Sequence, residues 1–301
     1  MRKLSRRAAS IALAAAMLFT TARVSQKKVE AASTGKLSVT GYQDYNDAQK
    51  ILKEVNKYRK KNGRKALKMD RGLTNSAIMR GFETTIYIPE TSPHRRPNGK
   101  LSKSINKKII YENCAQSAET TPKQIVKGWI NSSTHRKGLL LSNAKSVGVA
   151  AVTVVSRDGY EANTWVLDFS SSKAKKVEKS KARKQFTKNI VTKNSYLKKS
   201  YLKLDSRYGT IWETEKMQMK PTYQGKMMKE YGVYPTVINT SSFTSWKSSN
   251  PSVASVDSNG RITGNKAGTA TISAKLKTGT KITISKKIKV VPTNQQIDPW
   301  E

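Results

Sequence analysis

Histidine occurs twice in this 301-residue chain, at His94 and His135, and both lie in polar, turn-rich surroundings. Imidazole titrates near neutral pH and binds metals well, so two histidines kept only in such contexts point to a site if they converge. His94 sits in Pro93-His94-Arg95-Arg96-Pro97-Asn98-Gly99, and His135 near the end of Trp129-Ile130-Asn131-Ser132-Ser133-Thr134-His135-Arg136. Between them, Tyr111-Glu112-Asn113-Cys114-Ala115 supplies a carboxylate. Ser132, His135 and Glu112 are the residue types of a nucleophile, its base and an orienting acid. Ser132 lies only three residues from His135 and has no Gly-x-Ser-x-Gly turn around it. A metal-activated water with Glu112 as base is the chemically simpler hydrolase.

Several elements must position these groups. Thr121 as N-cap and Pro122 at the first helical position start a helix on which Ile125, Val126, Trp129 and Ile130 share one face. Trp129 therefore reads as core, and the polar tail after it carries Ser132 and His135. From Glu90 to Lys108 the chain is rich in Pro, Ser, Asn, Gly and Lys, which places His94 on a loop. A short strand carries Ile109 to Asn113. Upstream, Gln43-Asp44-Tyr45-Asn46 opens a helix striped by Ala48, Ile51, Leu52, Val55 and Tyr58, ended by Gly63 after Lys60-Lys61-Asn62. A second helix runs from about Gly72, with Leu73, Ala77, Gly81 and Phe82 on one face, its small residues suited to close packing on a sheet. Val147, Val149, Ala151 and Thr153 alternate, as do Trp165, Leu167 and Phe169, with Arg157-Asp158-Gly159 as the turn region.

The order and spacing of these phrases resemble the CAP superfamily (cysteine-rich secretory, antigen-5 and pathogenesis-related proteins) in its bacterial SCP-like branch. There the pattern runs His-x-x-Pro-(Asp/Asn)-Gly, Gly-Glu-Asn, Trp-x-x-Ser-x-x-His-Arg and a Gly-Val-Gly-type strand. Here His94 to Gly99, Glu112-Asn113, Trp129 to Arg136 and Val147-Gly148-Val149 stand in those places, and Glu54 to Arg59 resembles the first CAP helix. The resemblance implies an α-β-α sandwich whose cavity is lined by two histidines and two glutamates able to hold a divalent metal such as zinc. His94, Glu112 and His135 match that set, with Asn113, Trp129 and Arg136 beside them. The second glutamate is not evident, for Ser132 stands three residues after Trp129 and Gln124 lies one turn earlier. Three N/O ligands with an open fourth position resemble a catalytic zinc arrangement. Each residue also has a plainer role. Glu112 accepts hydrogen bonds from the loop around His94, His135 caps the end of its helix, His94 is a surface residue, and Arg136 pairs with Glu112 or with a ligand anion. Most CAP proteins are binding or signalling modules rather than enzymes, which sets the expectation here.

The second half is a different kind of sequence. Trp246-Lys247-Ser248-Ser249-Asn250-Pro251 leads through Val253-Ala254-Ser255-Val256 to the turn Ser258-Asn259-Gly260. Ala270, Ile272 and Ala274 alternate after Gly268, and Ile282, Ile284, Ile288 and Val290 follow the turn Lys277-Thr278-Gly279. Lys286 interrupts that last series, where a bulge or an exposed end is expected. The run from Trp246 to Ile272 resembles the bacterial immunoglobulin-like group-two domain, which implies a spacer or adhesion module. The fold class is thus α+β: an N-terminal α-β-α sandwich of the CAP type and a C-terminal all-β immunoglobulin-like sandwich. The expected boundaries are a signal peptide over 1–31, a flexible lead-in over 32–43, the CAP-like domain over 44–171, a basic linker over 172–188, the immunoglobulin-like domain over 189–293 and a tail over 294–301.

Lysine and arginine total 57 against 20 acids, a formal charge of +37. Such a surface attracts polyanions through a field that salt screens. No zinc-finger spacing, RNP-like strand or basic zipper is visible, so specific nucleic-acid binding is not expected. Arg2, Lys3, Arg6 and Arg7 precede an apolar run from Ala8 to Ala22, too short to span a bilayer comfortably, and Val29-Glu30-Ala31 suits signal-peptidase cleavage after Ala31. An uncleaved anchor is the alternative. The expected partners are then an anionic cell-wall polymer or lipid surface, with a small lipid or wall fragment as ligand of the cavity. Cys114 is the sole cysteine and so forms no internal disulfide. It reads as a small buried hydrophobe, with a reactive thiol as the other option.

Overall fold

The computed structural model describes residues 34–87, 94–117, 120–157, 159–205, 209–278 and 280–294. The expected signal peptide and cleavage site, the C-terminal tail beyond 294, and Asp158 and Gly279 of the two turns lie outside these residues. The first half runs β1 (Thr34–Asp44), α1 (Tyr45–Lys61), β2 (Lys68–Met69), α2 (Arg71–Thr84), β3 (Tyr111–Ser117), α3 (Pro122–Asn131), α4 (Ser133–Leu139), β4 (Ser146–Val155), β5 (Glu161–Ser170) and β6 (Arg183–Lys193).

The strands form one sheet in the order β3-β5-β4-β1-β6, with β2 added parallel to β4. β4 is buried along all but its last residue because helices cover both faces. On one face, Ile51 and Val55 of α1 and Val126 and Trp129 of α3 pack on Val147, Val149, Leu167 and Phe169. On the other, Ala77, Ile78 and Phe82 of α2 pack on Ala150, Val152 and Val166. This is the α-β-α sandwich. The small residues do what their pattern implies: a Cβ on Gly81 would sit 2.7 Å from the Val152 side chain of β4, so α2 lies directly on the sheet. α1 is capped by Asp44, whose Oδ1 accepts the Asp47 N–H at 2.9 Å. It ends in Arg59, Lys60 and Lys61 before Gly63 at φ 65°.

Two expected boundaries are corrected. Residues 34–43 are not a flexible lead-in, because β1 pairs with β6 along its whole length, from Thr34↔Lys193 to Asp44↔Arg183. The basic linker therefore stops short of 188, and the start of the expected immunoglobulin-like domain belongs to the first sheet. Leu37 and Val39 of β1 and Ile190 of β6 alternate inward and are fully buried, which holds this ribbon in place.

The second half contains β7 (Leu202–Asp205), β8 (Thr210–Trp212), β9 (Lys216–Gln218), β10 (Lys220–Tyr223), α5 (Lys226–Glu230), β11 (Thr236–Val237), β12 (Phe243–Ser248), β13 (Ala254–Val256), β14 (Arg261–Gly264), β15 (Gly268–Leu276) and β16 (Thr283–Val291). They form sheets ordered β11-β10-β7, β12-β15-β16-β8 and β13-β14-β9 around Ile211, Phe243, Ile262, Ile272 and Ile288. Gly260, at φ 76°, closes the turn between β13 and β14, and a Cβ there would lie 2.6 Å from the Trp246 indole. Lys286 causes no bulge. It pairs in register with Ile272 and points inward, half-buried, while the irregularity lies in β12 between Thr244 and Lys247.

The halves share one core, which runs from α2 and β1 through Ile190 and Leu197 into the β-sandwich. Asn239 Nδ2 donates to Ser38 Oγ at 3.1 Å and Thr40 Oγ1 at 2.9 Å, and its backbone N–H donates to Ser38 O at 2.8 Å. The Ser38 N–H donates to Ser242 Oγ at 2.8 Å, and Thr236 Oγ1 donates to Thr85 O at 2.7 Å. Tyr160 and Tyr234 stack across the same seam with ring centroids 4.5 Å apart.

Candidate functional site

Helix α2 carries two charges on its buried side, Arg80 and Glu83, with side chains 1% and 0% exposed. Three residues apart, they face the same way. Arg80 Nη1 donates to Glu83 Oε2 at 3.0 Å. Its other nitrogens reach β3: Nε donates to Glu112 Oε2 at 2.9 Å and Nη2 to Glu112 Oε1 at 3.2 Å, a two-point grip. The loop at His94 closes the arrangement at both ends. His94 Nδ1 lies 3.0 Å from Glu112 Oε1, and Arg96 Nη2 donates to Glu83 Oε1 at 2.7 Å. The result is a chain of groups, His94–Glu112–Arg80–Glu83–Arg96, that ties helix, strand and loop together.

Protonation follows from these contacts. Burial would raise the Glu112 pKa, but the His94 hydrogen bond and the Arg80 guanidinium hold it below the ordinary carboxylate value. An ionised carboxylate only accepts, so His94 Nδ1 carries the proton. Burial works against the Arg80 charge, yet Glu112 and Glu83 keep its pKa above the usual value. Asp168 faces Glu112 across the β3–β5 pair. It is fully buried, and neither of its oxygens has a partner among the described residues. Burial, then the nearby Glu112 charge, push its pKa well above normal and favour the neutral acid. Burial and the Glu112 charge push the half-buried Cys114 thiol up to about 12, so the reactive-thiol option has no support.

His135 has different surroundings. The end of α3 at Asn131 and the start of α4 at Ser133 place it in the first turn of α4, not at the C-terminal end of a helix. Burial and the His94 charge lower its pKa, and a helix N-terminus also disfavours a cation. Its Nδ1 lies 3.0 Å from Ser132 Oγ. β3 holds this turn through the backbone: Tyr111 Oη donates to Thr134 O and Asn113 Nδ2 to His135 O, each at 2.9 Å. Arg136 donates to Ile130 O at 2.9 Å rather than to Glu112. Trp129 is 2% exposed, a core residue. Gln124 serves the capping box of α3.

Of the expected set, His94 and Glu112 meet. The three donors within 4.8 Å of one another are His94, Glu112 and Cys114, and His135 is not among them. That set does not fit a divalent metal. Both Glu112 oxygens are already engaged by a guanidinium, whose charge opposes a second cation, and the thiol holds its proton. A Ser132–His135–Glu112 triad is not assembled either, because Glu112 turns to Arg80 and His94. Sequence reasoning misses Arg80, Glu83, Arg96 and Asp168. The available signal is Arg80-x-x-Glu83 on a helix whose neighbouring positions are small and apolar.

Residues 52–169 match the family model described as the cysteine-rich secretory protein family, CAP, and residues 224–288 match the bacterial Ig-like domain, group 2. The uncharacterized protein YkwD of Bacillus subtilis (strain 168) is 31% identical over 130 residues, 42% of this chain and 48% of its own. The chain thus spans about half the length of that curated relative. An extracellular protein containing a SCP domain from Bacillus anthracis str. Ames is 19% identical over 42% of this chain and 41% of that one, with a TM-score of 0.32. An outer surface protein from Borrelia burgdorferi is 17% identical over 43% of this chain and 98% of that one, with a TM-score of 0.33.

Proposed function

We propose that this chain, a CAP domain followed by a bacterial immunoglobulin-like domain, is an exported, non-catalytic binding module that attaches to anionic polymer of the cell envelope. One observation supports this above the rest: both Glu112 oxygens are held by Arg80, so the constellation acts as a buried clasp between α2, β3 and the His94 loop. Chemistry that needs Glu112 as base or ligand has no free carboxylate to use. Binding then falls to the surface of a strongly basic chain, in which lysine and arginine outnumber the acids 57 to 20. The basic start and short apolar run at the N-terminus support export, and the shared core supports a CAP half held rigidly against its neighbour.

The test is co-sedimentation of purified protein with isolated anionic wall polymer over a range of salt, alongside incubation with peptides and wall fragments. Binding that weakens steadily with salt, and no cleavage, is the expected result. Affinity that does not fall as salt is raised, or turnover that depends on Glu112, contradicts the proposal.

A further inference from the structure

Lys286 is the oddity of the immunoglobulin-like half. Ile284, Ile288 and Val290 on the same face of β16 are buried, and Ile272 directly opposite is fully so. An ammonium in that row is costly unless it reaches water or an anion. Lys286 opens into a cleft of about 380 Å³ between β7 and β16, whose floor is Leu204 and Ile284 and whose rim carries Lys199 and Lys203. Among the described residues none of these three lysines has an ion-pair partner. The one acid of the cleft, Asp205, is already shared with Arg157 at 3.5 Å and Thr222 at 3.3 Å. Three lysines thus line one concave site with a single, occupied counter-charge.

We infer that this cleft is a phosphate-binding subsite through which the immunoglobulin-like half holds a linear phosphodiester polymer. The choice of polymer rests on the envelope-binding proposal above; the site rests on the cleft itself. Lysine ammoniums are compact charges with three rotatable donors, suited to tetrahedral phosphate oxygens that present themselves in many orientations. A set built from arginine forks would instead favour fixed, planar, two-point recognition. Lys286 can withdraw its stem along the apolar floor and present only its head to the bound anion.

The experiment compares two triple variants of the full chain in binding to poly(glycerol phosphate). One is Lys199→Ala, Lys203→Ala and Lys286→Ala. The other removes three exposed lysines outside the cleft, Lys275→Ala on β15 and Lys287→Ala and Lys289→Ala on the opposite face of β16, an equal change in net charge. The cleft variant is expected to bind at least about tenfold more weakly than the control variant, and to lower the slope of log affinity against log salt by about 2, on the basis of roughly 0.7 per phosphate contact. Equal losses in both variants overturn the cleft and leave general surface attraction standing. A parent that does not bind at any salt overturns both proposals. A cleft-specific loss on phosphatidylglycerol vesicles but not on the polymer overturns the polymer assignment. Lys286→Ile alone completes the apolar row, so it is expected to melt no lower than the parent while losing affinity. A variant that melts normally and binds like the parent sinks the inference.

Discussion

Replacing Arg80 with Met removes the centre of the buried clasp while keeping an unbranched side chain of similar reach. Arg80, Glu83 and Glu112 have side chains no more than 1% exposed, so water cannot take over the lost contacts. Glu83 would keep Arg96, and Glu112 would keep only His94. Breaking a buried pair from one side typically costs about 3–5 kcal/mol, a large share of the roughly 5–15 kcal/mol that holds a domain together. The cost also depends on pH. In the parent, Glu112 has a pKa below its ordinary value of 4.5, so it contributes stability above that value that is lost as pH falls through the folded pKa. In the variant burial dominates, the folded pKa moves above the unfolded one, and acidification relieves the strain. Urea unfolding at pH 7 and pH 4 should show a gap of about 3–5 kcal/mol that narrows on acidification. The double change Arg80→Met with Glu112→Gln should cost less than the sum of its parts. A gap under about 1 kcal/mol at pH 7, the level of a surface pair, or a gap indifferent to pH, would refute the clasp.

Other expectations follow from the same contacts. Asp168→Asn should stabilise the protein at pH 7, because the raised folded pKa of Asp168 gives stability that is present below its ordinary value of 3.8 and lost as pH rises. The advantage of the variant should shrink as pH falls towards that value, with a slope no steeper than about 1.4 kcal/mol per pH unit, measured by denaturant unfolding. Asn239→Ala removes two side-chain hydrogen bonds across the seam and should cost about 1–3 kcal/mol. Calorimetry of the parent should give a single transition for the two halves, and two separated transitions would contradict their shared core.

The parts that can be read from sequence are those whose signals are local. The capped start of α3 at Thr121 and Pro122, the stripe of α1 and the turn at Gly260 each depend on neighbours within a few residues. What stays hidden is non-local. β6 has only Phe186, Ile190 and Val191 among its lysines and polar residues, and it becomes a strand because β1, far away in the chain, supplies every ladder partner. Asp168 reads as outward-facing, since it alternates with the inward-facing Leu167 and Phe169. A helix covers the other face as well, so it is buried. Arg80 and Glu83 stay hidden for the same reason, since charges three apart on a helix give no sign that the face bearing them is covered. His94 and Glu112, both singled out from the sequence, lie in contact, but the guanidinium between helix and strand changes what their meeting means.

Calorimetric titration of the purified chain with zinc at neutral pH, run in parallel on His94→Ala, addresses the clasp most directly. A carboxylate locked to Arg80 should leave no stoichiometric zinc site that depends on His94, and the two titrations should coincide. One zinc bound per chain in the parent and lost in His94→Ala would show that the guanidinium yields to a metal, and the binding-only account would fall.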